Sequence, residues 1–285
     1  MNKITDISSL RKAIDNWRQA GESVALVPTM GNLHKGHMNL VSLAHEHAER
    51  VVVSLFVNPT QFHPGEDFAD YPRTLATDVR RLARSRVDIL FAPSTEEMYP
   101  EGSEQMTSVS VKALSEIFCG AARPGHFDGV TSVVCRLFNI VAPDVAVFGQ
   151  KDYQQLVILR RMASDLHIPV KIIAGPTQRE KSGLAMSSRN QYLSKEEQKA
   201  APTIYWALAD CRQQLLDGQR DFDRLEAEGL DRLHAASLDP EFFAIREAAD
   251  LSPPQADSRR LVILTAARLG AARLIDNVLV ELEPV

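Results

Sequence analysis

This 285-residue chain is poor in the features that cross-link a protein, export it or anchor it in a membrane. It has three cysteines, Cys119, Cys135 and Cys211, widely spaced and with no CxxC pair. That number and spacing exclude a disulfide framework, so reduced thiols that pack as small apolar groups are expected. The longest useful apolar run, VVVSLFV at 51–57, falls well short of the roughly 20 residues a membrane-spanning helix needs. The opening stretch, MNKITDISSLRKAIDNW, holds no apolar segment of the kind that heads an exported chain, and a cytoplasmic location is expected. No internal repeat or low-complexity tract stands out. There is no basic excess either: 32 Lys and Arg against 37 Asp and Glu give a net charge of −5. Nucleic acid and anionic membrane surfaces are therefore not expected partners, although a local basic pocket for a small anion is compatible with this balance.

What the chain does have is core-forming material, 45% hydrophobic residues, arranged in alternating patterns. Short runs at 23–27, 50–57, 87–91, 144–148 and 170–174 read as strands, several of them β-branched and apolar on both faces. Between them, 36–48, 74–85, 129–141 and 152–166 carry apolar residues at helical spacing. Strands alternating with helices predict an α/β fold, a doubly wound (Rossmann-like) parallel sheet. The segment 107–111 reads as a further strand outside that alternation. After about residue 175 the character changes: 194–218 and 222–237 read as helices, the first opened by a capping box of Ser194 and Glu197. Apolar runs at 261–266 and 272–280 read as strands of a second, smaller α+β domain. The expected division is 1–176 and 177–285, with a polar linker GPTQREKSGLAMSSRN at the junction.

Ligands of open α/β sheets bind at the carboxyl ends of the strands. Four polar loops follow strands in this sequence: PTMGNLHKGH, NPTQF, GQKDYQQ and the linker with TQRE and MSSRN. In the first, Gly31 and Gly36 allow close backbone approach to an anion, and a helix starting near Gly36 offers unpaired N–H groups. His34 and His37 add donors without permanent charge. A metal clasp and an ordinary loop remain alternatives for HKGH alone, but no further His, Cys or carboxylate has ligand-like spacing, so no protein-held metal is expected. Lys151, in the third loop, suits a phosphate; Asp152 and Gln155 beside it also fit a plain capping box. MSSR places two hydroxyls and a guanidinium within four residues, as suits a triphosphate or a solvated loop.

The longer strings are more specific. HKGH resembles the HIGH motif of nucleotidyltransferases and class I aminoacyl-tRNA synthetases, and AMSSR resembles a degenerate KMSKS loop. PTMGNLHKGHMNL, FVNPTQF, DYPRTL, RPGHFDGV, FGQKDYQQL and GLAMSSRNQYL, in this order, resemble the pantoate–β-alanine ligase (pantothenate synthetase) family over nearly the whole chain. The resemblance implies ATP-dependent condensation of pantoate with β-alanine through a pantoyl adenylate, with release of AMP and pyrophosphate. It implies that Met30, Gly31, Asn32, Leu33, His34, Lys35, Gly36 and His37 hold ATP, together with Gly149, Gln150, Lys151, Asp152, Gln178, Met186, Ser187, Ser188 and Arg189. His37, His34, Lys151, Ser187 and Arg189 would act on the phosphates, His37 foremost. Gln61, Gln155 and Asn58 would bind pantoate, with Gln61 also near β-alanine; Tyr71 and Arg123 match family positions without an assigned role. Mg²⁺ held largely by ATP and water, and a homodimer, are further implications. Gln150 stands where the family more often has Glu, and Gln178 where a small apolar residue is common. The alternatives are a HIGH-type nucleotidyltransferase that retains the nucleotide in its product, and a nucleotide-binding protein without catalysis.

Overall fold

The valine-rich runs of the first half fold as parallel strands. In a computed structural model, which describes residues 1–63, 65, 66 and 68–283, these are β1 (Asn2–Ile4), β2 (Val24–Thr29), β3 (Arg50–Leu55), β4 (Ile89–Phe91), β5 (Val145–Gly149) and β6 (Lys171–Gly175). They form one sheet in the order β1-β4-β3-β2-β5-β6, every neighbouring pair parallel. Val24, Ala25, Leu26 and Val27 are all fully buried, so both faces of β2 are covered, which is why these strands read as continuous apolar runs. The order reverses between β2 and β5, and sheets of this kind bind ligands beyond the carboxyl ends of the strands at such a reversal. The loops that leave those two strands begin at Met30 and Gln150.

The intervening helices are α1 (Ile7–Gln19), α2 (Lys35–His45), α3 (Leu75–Arg84), α4 (Thr95–Met98), α5 (Cys119–Ala122), α6 (His126–Val141) and α7 (Tyr153–Asp165). The segment 107–111 is not a strand. Its backbone is bonded by α6 instead: Val109 N donates to Ser132 Oγ at 2.8 Å and the Thr131 hydroxyl donates to the Val109 carbonyl. Neither β1 nor α1 is among the elements expected from periodicity.

The C-terminal region contains α8 (Lys195–Ala200), α9 (Thr203–Leu216) and α10 (Phe222–Ala235), followed by β7 (Asp239–Glu247), β8 (Arg260–Leu269) and β9 (Ala272–Glu281) in an antiparallel sheet. Its core gathers Leu208, Leu215, Leu225, Leu233, Ile245, Leu261 and Ile263. The capping box forms as expected, with Glu197 N donating to Ser194 Oγ and Ser194 N to Glu197 Oε2. The single helix expected over 194–218 is two, because Pro202 lacks the amide that would carry α8 into α9. The strand β7 has no counterpart among the expected elements.

The chain divides into two compact units, Met1–Gly149 with Ile158–Pro176 and Gln150–Val157 with Thr177–Val285. Gln150–Val157, expected with the first domain, belongs to the second unit because its own hydrogen bonds lead there. Tyr153 Oη donates to the Ala248 carbonyl at 2.8 Å, and Asn277 Nδ2 donates to the carbonyls of Gln150 and Lys151. Cys211 is buried in the second unit's core, and burial pushes its thiol up to about 12; none of the three cysteines is in a disulfide. Among the described residues no helix is long and apolar enough to cross a membrane.

Candidate active site

At the end of β2 the chain must turn back into α2 within a few residues. Gly31 (φ +90°) and Asn32 (φ +48°) make that turn in the left-handed region, which glycine and asparagine enter at little cost. The turn is anchored from α3. Asp78, with no exposed surface, accepts hydrogen bonds from the backbone N–H of Asn32 and of Leu33, both at 2.9 Å, and from Thr74 Oγ1 at 3.0 Å. Arg81, on the next turn of α3, donates to the Leu33 carbonyl.

His34 then caps α2. Its Nδ1 accepts from Gly36 N at 3.1 Å, while His37 Nδ1 accepts from His34 N at 3.2 Å, and the two rings lie 4.1 Å apart. The pair forms a capping box built from imidazoles. This corrects the expectation of unpaired N–H groups at Gly36, because histidine takes that amide. It also sets the tautomers: with each Nδ1 accepting, each neutral ring carries its proton on Nε2 and presents it as a donor.

NPTQF follows β3. Asn58, 1% exposed, holds the turn: its Nδ2 donates to Gln61 Oε1 (3.2 Å) and to the Gly129 carbonyl (3.1 Å), and Tyr99 Oη donates to its Oδ1 at 2.8 Å. Burial pushes the Tyr99 phenol pKa up, so the hydroxyl stays a donor. Gln61 Nε2 lies 2.9 Å from Met30 Sδ, joining this loop to the one after β2. The Gln61 carbonyl accepts from His126 Nδ1 (2.7 Å) and Arg123 Nη2 (3.2 Å), while Arg123 Nη1 meets His126 Nε2 at 2.9 Å. Arg123 also pairs bidentately with Glu66, both contacts 2.6 Å. Burial pushes the Glu66 carboxyl up, but the hydrogen bonds and charge of Arg123 outweigh it and hold the pKa below the ordinary value. Arg123 and His126 thus grip the backbone of Gln61. Tyr71 is buried, its ring packed edge-on to Phe62.

The remaining candidates lie in the second unit, apart from Gly149, which ends β5. A short hairpin runs from Gln178 to Met186, closed by Met186 N to the Gln178 carbonyl and Glu180 N to the Leu184 carbonyl, each 2.8 Å. It leads into Ser187, whose Oγ accepts from Arg189 N at 3.2 Å, and then through Ser188 into a turn of 3-10 helix. Lys151 Nζ lies 3.9 Å from Asp152 Oδ1. Lys151, Ser187, Asn190 and Asp276 line one small cavity. Asp276 is a buried carboxylate paired bidentately with Arg179, whose guanidinium lies 4.1 Å from the Tyr205 ring centroid. Burial pushes the Asp276 carboxyl up, with Arg179 and the charge of Lys151 opposing that shift. Gln155 is half-buried on the first turn of α7.

Of the sequence candidates, the structure brings His34 to His37, and Met30, Asn58 and Gln61 together, within the first unit; Lys151 and Ser187 share a cavity in the second. Sequence reasoning missed Asp78, Tyr99, Glu66, Arg179, Asp276 and Asn277. Three of these carried a signal. Asp78 stands one helical turn before buried Leu82, on a stripe that should be apolar, and Asp276–Asn277 separates the apolar residues Leu274–Ile275 and Val278–Val280 of β9. Among the described residues no three His, Cys, Asp or Glu side chains converge as metal ligands.

Known proteins resemble this chain over nearly its whole length. A family model described as pantoate-beta-alanine ligase matches residues 2–279. The chain is 52% identical over 282 residues to pantothenate synthetase of Stutzerimonas stutzeri, covering 99% of each, and 50% identical over 283 residues to that of Pseudomonas fluorescens, again 99% of each. Crystal structures of pantothenate synthetase from Thermus thermophilus (44% identity, TM-score 0.91, 98% of this chain and 99% of that one) and of pantoate-beta-alanine ligase from Francisella tularensis (34%, 0.82, 98% and 97%) share the fold. The chain belongs to the pantoate–β-alanine ligase family and is a ligase that joins pantoate to β-alanine.

Proposed function

We propose that the chain makes this amide bond in two steps at the expense of ATP. In the first, a pantoate carboxylate oxygen attacks the α-phosphorus of ATP; the bond to the β-phosphate oxygen breaks and pyrophosphate leaves. In the second, the amine of β-alanine attacks the acyl carbon of pantoyl adenylate; the acyl–oxygen bond breaks, the amine loses a proton, and pantothenate and AMP result. Adenylation is required because a carboxylate oxygen is a poor leaving group. The Francisella neighbour, described as complexed with beta-gamma ATP and beta-alanine, supports use of both ligands.

The observation that carries this reading is the imidazole pair at the start of α2, locked with Nε2–H donors beside the strand reversal. Neutral donors of fixed direction strengthen as charge gathers on the phosphate oxygens and need no reorganisation to do so. In this reading His37 and His34 act on the phosphates, with Met30, Gly31, Asn32, Leu33, Lys35 and Gly36 lining the nucleotide from the first unit. Lys151, Ser187 and Arg189 neutralise phosphate charge from the second, where Gln150, Asp152, Gln178, Met186 and Ser188 complete the nucleotide contacts, with Gly149 at the end of β5. Gln61, Asn58 and Gln155 hold pantoate, and Gln61 also meets β-alanine. Among the described residues no cluster of His, Cys, Asp or Glu forms a cage for Mg²⁺; bound through ATP phosphates and water, it would supply charge neutralisation there. A cytoplasmic location and a homodimer complete the proposal.

Product analysis tests it. ATP, pantoate and β-alanine together should yield equal AMP and pantothenate. ADP formation, or AMP release indifferent to β-alanine, overturns the proposal, and a stable adenylylated product points to a nucleotidyltransferase. Light scattering reads the dimer.

A further inference from the structure

Lys151 carries a phosphate-neutralising role in the proposed function, and its backbone is held from β9. Asn277, 2% exposed, directs its side-chain NH₂ at two carbonyl oxygens, those of Gln150 (2.9 Å) and Lys151 (2.8 Å). These are the two peptide planes on either side of the Lys151 Cα. Holding both planes fixes the backbone dihedrals of that residue, and with them the direction in which its side chain leaves the main chain. The amide can point only this way, because the reverse orientation would set Oδ1 against two acceptors. Among the described residues Oδ1 itself has no hydrogen-bond partner, a costly arrangement in a buried group.

The neighbouring residue does the matching work for the other loop. Asp276 binds Arg179, and Arg179 donates onward to the Gly183 carbonyl at 3.1 Å inside the hairpin that leads to Ser187. The Asn277 backbone N–H closes the arrangement on Asp276 Oδ1 at 2.8 Å.

We propose that Asn277 is a positioning residue for Lys151: by pinning the carbonyls of Gln150 and Lys151 it sets where the ammonium meets the ATP phosphates, while Asp276 sets the Ser187 hairpin from the adjoining position. The proposal rests on the ATP-dependent reading.

A double-mutant cycle tests it. Asn277→Asp is nearly isosteric and, ionised, cannot donate to the two carbonyls; Asn277→Ala serves as a second variant. In the Lys151 background either change should lower kcat for AMP formation by on the order of 10²-fold, the scale of a misplaced catalytic group, with the KM for β-alanine little altered. In a Lys151→Ala background the same change should cost little further, since the two residues act through one effect. Equal fold-losses in both backgrounds, or wild-type turnover of Asn277→Asp, overturn the proposal. Amide hydrogen exchange over residues 150–152 gives a readout independent of activity: it should accelerate in Asn277→Asp while exchange in β8 stays slow, and unchanged exchange overturns the positioning role. Failure of the wild-type chain to form AMP from ATP, pantoate and β-alanine would instead sink the ATP-dependent reading, leaving the exchange result to decide the role of Asn277.

Discussion

The loop after β2 and the loop after β5 leave neighbouring strands of one sheet, yet they are held in different ways. The first supplies much of its own structure and is anchored from nearby α3: His34 and His37 cap the helix they begin, Gly31 and Asn32 make the turn, and Asp78 and Arg81 hold its backbone. The second depends on a side chain more than a hundred residues away, Asn277. A loop that supplies much of its own structure advertises itself as a short motif. A loop supported from a distance shows only its chemically active residue, and the residue that positions it looks like a flaw in a strand.

Four changes test that contrast, beginning with the largest effect. Because α2 retains its hydrophobic face without His37, His37→Ala should lower the rate of adenylation by on the order of 10²–10³ while thermal unfolding moves little; near-wild-type turnover would remove His37 from the chemistry. On the remotely supported side the effect should fall on stability. Asp276→Ala leaves the buried side of Arg179 unpaired and should cost about 3–5 kcal/mol in denaturant unfolding, against no more than a small change if the pair is dispensable. Asp78, on α3, also anchors the first loop, beside Arg81. Asp78→Asn retains a single side-chain acceptor oxygen and should cost about 1–3 kcal/mol, and a loss near zero would show that the loop holds without this anchor.

The smallest effect concerns pH. Glu66 has a folded-state pKa below the ordinary 4.5, so its contribution to stability is present above that value and is lost as pH falls through the lowered one. Glu66→Gln should therefore be less stable than the parent at neutral pH and converge with it in acid. Parallel curves of unfolding free energy against pH would show that the pairing with Arg123 adds nothing.

These differences also explain what could be read from sequence. The parallel sheet was legible because strands buried on both faces leave unbroken apolar runs, as Val51, Val52 and Val53 do in β3. β1 has only three residues, and in β7 the short run Phe242–Ile245 lies between Asp239–Pro240–Glu241 and Arg246–Glu247, so neither stood out. The histidine pair was legible as a donor set but not as a cap, since imidazole is an uncommon choice beside Ser, Thr, Asp and Asn. Arg123 matched a family position without a role, because its target and that of His126 is a backbone carbonyl, at Gln61, that no side-chain pattern reveals. Asp78 and Asn277 do their work on peptide groups as well. Placing an acidic or amide residue on a core-facing stripe is the trace such contacts leave.

Gly129 carries a consequence of another kind. A Cβ there would sit 2.3 Å from the Thr60 carbonyl oxygen and 2.7 Å from Gln61 N, main-chain atoms that no rotamer change can move aside. Every missense change at a glycine codon adds at least that carbon. In genetic terms, position 129 admits no silent replacement: any allele altering it shifts the turn carrying Asn58 and Gln61, and should score as loss of function in a mutational scan even where the protein accumulates normally.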